Sequence, residues 1–441
     1  MTTIRFDEAW ANACQVAENT SMSGLDTVLI RDLTGRLTLV LDDTGGEEIP
    51  AGLEDEIRIA AGPFGSRPPV LRASELFVPE AVLTSPDLIV RHARDRDTGS
   101  GRFAVLERTV VGADWARPSL TPPLRRITLY AFKGGVGRST ATFMLAKSLA
   151  ERGLCVLVAD LDLESPGVGE LLQQPDNRSA HGLVDHLVES AVGNEAGLDL
   201  VSRSEVIRPP GNGEVWLLAA DGREPGGVYQ RDYLAKLNRV YAELPDADNG
   251  APRTLADRLE SALSAAERQV AERSREPDVV LLDSRAGVHD IAAIAITRLS
   301  SLSLLFANDN PHTWAGYRML FDQWRQLPAE LRDDIRKRLR MVAAMVPSAS
   351  APERLERFQD HAQQCFAETL YDDAYPDDEG AFNYGPDDRD APHFPLPILF
   401  SNDLIGVDHA GAPDWHDQPF VKAAYERFLR EAGDLAVEEQ A

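Results

Sequence analysis

The sequence predicts an α/β fold, a doubly wound and mostly parallel sheet, with a smaller α+β domain at the N-terminus. Three observations predict it. From about residue 122 onward, near-continuous apolar runs of strand length alternate with amphipathic helical segments, the pattern of strands covered on both faces. A glycine-rich loop, Lys133-Gly-Gly-Val-Gly-Arg-Ser-Thr140, stands between one such strand and a helix. Two later apolar strands end in aspartates, at Asp160 and Asp283, the edge at which an open α/β sheet binds its ligand.

Ahead of the loop, Arg126-Ile-Thr-Leu-Tyr-Ala-Phe132 reads as a strand; behind it, Ser139 to Arg152 carries Phe143, Leu145, Leu149 and Ala150 at helical spacing. Strand, glycine loop and helix make the setting of a P-loop NTPase: backbone N–H groups curl around a polyphosphate, a lysine reaches the outer phosphates, and a hydroxyl holds Mg²⁺. Against the ordinary G-x-x-x-x-G-K-[ST], this loop has Phe132 for the first glycine and Arg138 for the lysine. It fits K-G-G-x-G-[KR]-[ST]-[ST], in which a lysine precedes the glycines. Only five of the chain's 45 basic residues are lysines, so a chance lysine at this place is a poor explanation. The next apolar run, Leu154-Cys-Val-Leu-Val-Ala159, ends in Asp160-Leu-Asp162-Leu-Glu-Ser-Pro166. A further one, Asp278-Val-Val-Leu-Leu-Asp283-Ser-Arg-Ala-Gly287, has the Walker B pattern. Alone, an Asp-x-Asp pair commonly just solvates a loop, and a strand-ending aspartate just caps a turn. Following a phosphate loop in this order, both read as site carboxylates.

In these three motifs the chain resembles the ParA/MinD family of deviant Walker A ATPases. The resemblance covers nearly all of residues 122–441, including the segment beginning His181-Gly-Leu-Val-Asp and the strand at 214–219. It implies ATP and Mg²⁺ as cofactors and a homodimer when ATP is bound. It implies that Lys133 crosses the dimer interface to the other subunit's nucleotide, and that Gly134, Gly135, Val136, Gly137, Arg138, Ser139 and Thr140 cradle phosphates. Asp162 corresponds to the residue that positions the attacking water, Asp160 to the carboxylate near the metal, and Ser139 and Asp283 to the residues that hold Mg²⁺. Catalysis would rest on Lys133 and Asp162, with Glu164 the next candidate. Leu163 and Arg285 stand where proline is common in the family. Adenine would meet loops near Val346-Pro347 and Phe400-Ser-Asn402, although the asparagine usual at the first is not evident. The planar guanidinium of Arg138 suggests firm ground-state binding and slow hydrolysis, since equal grip on ground and transition states does not speed chemistry.

Further strands are expected at 213–219, 302–306, 341–346 and 396–400, and helices at roughly 229–243, 252–274, 312–326, 352–370 and 417–435. Residues 121–441 thus form one ATPase domain, and residues 1–120 a separate accessory module expected to bind a partner protein. In that module Thr27 to Leu41 reads as two strands across a Thr-Gly turn and Arg102 to Val111 as a third. The intervening stretch is broken by Gly45-Gly46, Gly62-Pro63 and Arg67-Pro-Pro69, and Pro118 to Pro123 reads as a linker. No family is recognisable in the module.

The 441 residues carry 71 acidic against 45 basic side chains, a net charge of −26. That disfavours nonspecific nucleic-acid binding and anionic membranes, both of which need positive surface. The stretch Arg332 to Arg340 reads as a solvated helix face, with a local DNA-binding patch as the alternative, and the acidic residues 372–390 as a mobile surface insertion. The tail from Arg430 is acidic, unlike a basic membrane helix. No signal peptide or long apolar run is evident, and three scattered cysteines fit a reducing cytoplasm without a zinc or iron–sulfur motif. The function expected is an ATP-binding and hydrolysing dimerisation switch that regulates or positions a partner protein through the N-terminal module. A DNA-partitioning ParA-type ATPase and a nonhydrolysing ATP-sensing scaffold are the alternatives.

Overall fold

The computed structural model describes residues 4–44, 50–85, 87–95, 97–109, 112–173, 177–223, 232–242, 253–374, 380–400 and 414–438. The chain divides into two compact units, Met1–Arg117 with Leu327–Glu330, and Pro118–Gln326 with Leu331–Ala441.

The first unit runs α1 (Phe6–Met22), β1 (Asp26–Arg31), β2 (Leu37–Asp42), α2 (Leu53–Ala61), β3 (Gly65–Arg72), α3 (Glu80–Leu83), β4 (Leu88–His92) and β5 (Phe103–Glu107). Its sheet has the order β3-β2-β1-β5-β4, with β1 antiparallel to β2 and parallel to β5. Side chains alternate as strand geometry requires: Leu29, Leu39, Leu41 and Val105 bury against α1 and α2, while Val28, Val40, Ala104 and Leu106 form a smaller cluster on the other face. The three strands expected here are β1, β2 and β5. Residues 110–111 and Gly45-Gly46 lie outside the described residues. Strand β3 corrects the reading of Arg67-Pro-Pro69 as a break. It lies at the sheet edge, where a proline lacking N–H removes no ladder bond from a central strand.

The second unit contains β6 (Arg126–Ala131), α4 (Arg138–Glu151), β7 (Cys155–Asp160), α5 (Val168–Leu172), α6 (Leu183–Glu189), β8 (Val201–Arg203), β9 (Glu214–Leu218), α7 (Tyr233–Val240), α8 (Leu255–Arg273) and β10 (Val279–Asp283). It continues through α9 (Asp290–Ile294), β11 (Leu302–Ala307), α10 (Pro311–Arg325), α11 (Ala329–Lys337, all but its first two residues), β12 (Leu339–Pro347), α12 (Ala351–Ala367), β13 (Leu396–Phe400) and α13 (Pro419–Glu438). The eight-stranded sheet has the order β13-β12-β11-β6-β10-β7-β9-β8, parallel except for β8. Every residue of β6, β7, β10 and β11 is buried, because helices cover both faces. Leu129, Val158 and Leu281 pack with α4 and α13 on one face; Leu157, Val280 and Leu282 pack with α6 and α8 on the other. Among the described residues no helix is long and apolar enough to cross a membrane. The helix expected at 229–243 is α7, and residues 229–231 and 243 lie outside the described residues.

Two polar stretches differ from their sequence reading. The stretch Arg332 to Arg340 is not a solvated face: Arg336 and Arg338 are buried. Arg336 donates to both carboxylate oxygens of Asp372, and Arg338 pairs with Asp334 and donates to Ser300 O. The described part of 372–390 is not a loose insertion either. Its aromatic residues hold it, since Phe382 and Tyr384 pack on Tyr371, and Asp372 accepts from Phe382 N. Residues 375–379 lie outside the described residues.

Candidate functional site: a phosphate loop facing three aspartates

Strands β6, β10 and β7 are adjacent in the sheet, and their C-terminal ends carry the glycine loop, Asp283 and Asp160. A parallel sheet that winds outward both ways from β6 leaves a crevice at this edge. The loop turns through Gly135 at φ 77° and Gly137 at φ 78°, left-handed values that a side chain would strain, and Gly137 then starts α4. Lys133, Gly134 and Gly135 are exposed, and a Cβ added to either glycine would meet no atom within 4 Å, so the loop surface is open to a ligand. Lys133 forms no ion pair among the described residues. Val136 is buried, and Ser139 and Thr140 are half-buried at the first turn of α4, where unpaired N–H groups favour an anion.

Phe132, in place of the first glycine, has a structural partner. A Cβ on Gly316 of α10 would stand 2.2 Å from its ring, and Tyr317 lies 6.2 Å away, centroid to centroid. The absence of a side chain at 316 makes the room that the phenyl ring fills.

Arg138 does not point outward. The residue is 8% exposed; Nε donates to Asp283 Oδ1 at 2.8 Å and Nη2 donates to Asp162 Oδ2 at 3.1 Å. Burial works against its charge and the two carboxylates work for it, and the balance lies above the ordinary guanidinium value. Thr142 Oγ1 lies 3.3 Å from the same Asp283 oxygen. Asp283 Oδ2 and Asp162 Oδ1 are buried with no hydrogen-bond partner among the described residues. An orphaned carboxylate oxygen in a dry site is suited to a cation.

Asp160 faces Asp283 in register across the β7–β10 ladder and is fully buried. Burial first, and the charge of Asp283 second, hold its carboxyl well above the usual carboxylate range. Expected beside a metal, it has both oxygens engaged by backbone: Oδ1 accepts from Asp162 N at 3.2 Å, and Oδ2 from Gly167 N at 3.1 Å and Gly169 N at 3.4 Å. The side chain therefore shapes the loop that carries Asp162. Burial also raises Asp162, against the pull of Arg138. Among the described residues, no group of three or more His, Cys, Asp or Glu is arranged to hold a metal ion.

A second cluster, which the spacing of motifs did not reveal, adjoins this loop. Glu164 meets Arg285 Nη1 at 2.6 Å and His289 Nε2 at 3.4 Å, and accepts the Tyr241 hydroxyl. Despite burial, the hydrogen bonds of His289 and Tyr241 and the nearby positive charge bring its carboxyl down to about 2. Tyr233 of α7 donates to Leu163 O at 2.6 Å, so α7 is tied to the same loop. The sequence marks two members of this cluster separately, Glu164 as a further catalytic candidate and Arg285 as an arginine two residues past the Walker B aspartate, but not that they pair. Of the expected adenine-side segments, Val346-Pro347 ends β12 and pairs with Leu399-Phe400 of β13, while residues 401–402 lie outside the described residues.

A glycine loop leading into a buried helix, with strand-end aspartates across from it, defines the class: a P-loop nucleotide-binding domain. Residues 127–359, more than half of the chain, match the CobQ/CobB/MinD/ParA nucleotide binding domain, and the chain belongs to this family. Over 92 residues it is 34% identical to the cytosolic Fe-S cluster assembly factor cfd1 of Aspergillus terreus (strain NIH 2624 / FGSC A1156). That match takes in 19% of this chain and 30% of the relative, so the chain spans less than a third of that protein's length. Among solved structures it is similar to pNOB8 ParA bound to nonspecific DNA, at 15% identity and a TM-score of 0.42, over 71% of this chain and 98% of that one. It is likewise similar to the MinC:MinD cell division protein complex of Aquifex aeolicus, at 14% identity and a TM-score of 0.42, over 70% and 95%.

Proposed function

We propose that this chain is an ATP-driven dimerisation switch, which binds Mg-ATP, hydrolyses it slowly and regulates or positions a partner protein through the module of residues 1–120. The observation that carries the reading is the meeting of the open glycine loop, Arg138, Asp162 and Asp283 at the ends of β6, β7 and β10. The backbone N–H groups of Gly134 to Thr140 and the N-terminus of α4 cradle the phosphates. Ser139 Oγ and Asp283, whose Oδ2 has no partner, suit Mg²⁺, Asp283 through water; the ion when bound neutralises charge on the phosphate oxygens. Asp160 anchors the loop on the metal side of the site and holds Asp162 in place through its N–H. Asp162 orients water for in-line attack. Exposed Lys133 reaches the nucleotide of a second subunit that closes face to face with the first, adding positive charge where negative charge develops.

The internal pairing of Arg336 and Arg338 and the net charge of −26 argue for a protein partner over a duplex. Sedimentation with a nonhydrolysable ATP analogue tests the switch: the chain is expected to pass from monomer to dimer, and Lys133→Ala to stay monomeric while binding Mg-ATP in calorimetry. A dimer indifferent to nucleotide and to Lys133, or Ser139→Ala and Asp283→Ala variants that bind Mg-ATP as tightly as the parent, would remove the reading.

A further inference from the structure

Two carboxylates at the site share one cation, and that cation belongs to the phosphate loop. Arg138 is the first residue of α4, placed for a phosphate, yet its guanidinium lies against Asp283 and Asp162. The side chains of Arg138, Asp283 and Asp162 are 9%, 0% and 15% exposed, so the three groups meet almost without water. Leaving either carboxylate unpaired there is strongly destabilising, and the fork of a guanidinium can bond both at once where an ammonium is a single point charge. The same Asp283 is the proposed magnesium residue. A divalent ion approaching it would meet a fixed positive charge already bonded to its Oδ1. The phosphates of a nucleotide change the balance, because they offer Arg138 oxygens of higher charge at the mouth of α4 and leave both aspartates in need of a counter-ion.

We propose that Arg138 is a built-in counter-ion that makes magnesium binding conditional on nucleotide. Without nucleotide it holds Asp283 and Asp162 and keeps Mg²⁺ out; with nucleotide its guanidinium moves to the phosphates, and Mg²⁺ takes its place beside Asp283. The arginine is thus a substitute for the metal in the empty state. The inference rests on the reading of this site as a Mg-ATP site and assigns its order of binding.

The test is calorimetric titration of the full chain with MgCl₂ alone, paired with thermal unfolding with and without Mg²⁺. Wild type is expected to show no binding heat and no Mg²⁺-dependent rise in Tm in the absence of nucleotide. Arg138→Gln is expected to bind Mg²⁺ at least about tenfold more tightly, the order expected from removing a full charge a few ångströms away. The gain should vanish when Asp283→Asn is added. Arg138→Lys keeps a charge at the helix start but cannot span both carboxylates, and should fall between the two, which keeps the test in force if Arg138→Gln does not fold. Wild type that binds Mg²⁺ alone as tightly as the variants, or variants that gain no affinity, would overturn the proposal. Separate titration of wild type with Mg-ATP distinguishes this from the parent reading: no binding there removes the Mg-ATP site, whereas the titrations with Mg²⁺ alone still decide whether Arg138 bars the ion.

Discussion

Arg285 Nη1 lies 2.6 Å from Glu164 Oε2, and this ion pair fastens the segment after β10 to the segment after β7. Each of the two residues stands two positions beyond a site aspartate, Asp283 or Asp162. The pair therefore fixes the distance between the two loops on which those carboxylates ride. Glu164→Gln keeps the shape and removes the charge. It is expected to leave Mg-ATP affinity within about twofold while lowering phosphate release by about 10-fold to 100-fold, the penalty of misplacing a reacting group by an ångström. Calorimetry and phosphate release measure the two separately; a fall in affinity with turnover unchanged would place Glu164 in binding.

Asp162→Ala is expected to bind ATP and to accumulate as a closed dimer, because in the proposed function the phosphate contacts come from the loop and not from Asp162. Phosphate release should fall by about 10²-fold if the carboxylate acts with ordinary general-base strength. Sedimentation after addition of ATP should show a persistent dimer. Unchanged turnover would move the water-orienting role elsewhere.

Gly316→Ala separates stability from function. In an exposed helix the change would be stabilising by about 1 kcal/mol, but here the new methyl would stand 2.2 Å from the ring of Phe132. The ring must move and take the start of the phosphate loop with it. Weaker ATP binding by about tenfold is expected, with partial restoration when Phe132→Leu is combined with it. A variant with unchanged affinity would show that the loop is not braced from α10.

The depressed Glu164 carboxyl makes a pH-dependent contribution to stability. Its folded value, about 2, lies below the ordinary 4.5, so the contribution is present above about pH 4.5 and is lost as pH falls toward 2. The full shift corresponds to about 3 kcal/mol. Urea unfolding should find wild type more stable than Glu164→Gln at neutral pH, and the gap should shrink by more than half near about pH 3. A gap independent of pH would mean that packing, not charge, is what the substitution removes.

The sequence carried the parallel sheet and the glycine loop because both are local: a run of five or six apolar residues ending in aspartate needs no knowledge of its neighbours. Arg138, Asp162 and Asp283 could be named for the same reason. That Arg138 bonds both aspartates could not, since it depends on β7, β10 and α4 meeting in space. Tyr241 lies 77 residues from Glu164, and nothing in its surroundings announces a partner. Strand β3 was hidden by its prolines, which are tolerated because the strand is at an edge and its ladder with β2 shifts register across them. Arg336 and Arg338 looked like surface charge because sequence shows a basic run but not the carbonyls and carboxylates folded around it.

Asp160 and Asp283 stand opposite each other in the β7–β10 ladder. Side chains on neighbouring strand positions point to opposite faces, so a slip of one residue would drive a carboxylate into the leucine layers that Leu282 and Leu157 occupy. The facing pair thus also acts as a check on strand alignment, because a one-residue slip of either strand would turn its carboxyl to the opposite, apolar face. The residues that form the edge of the site therefore also penalise a one-residue misalignment of β7 against β10.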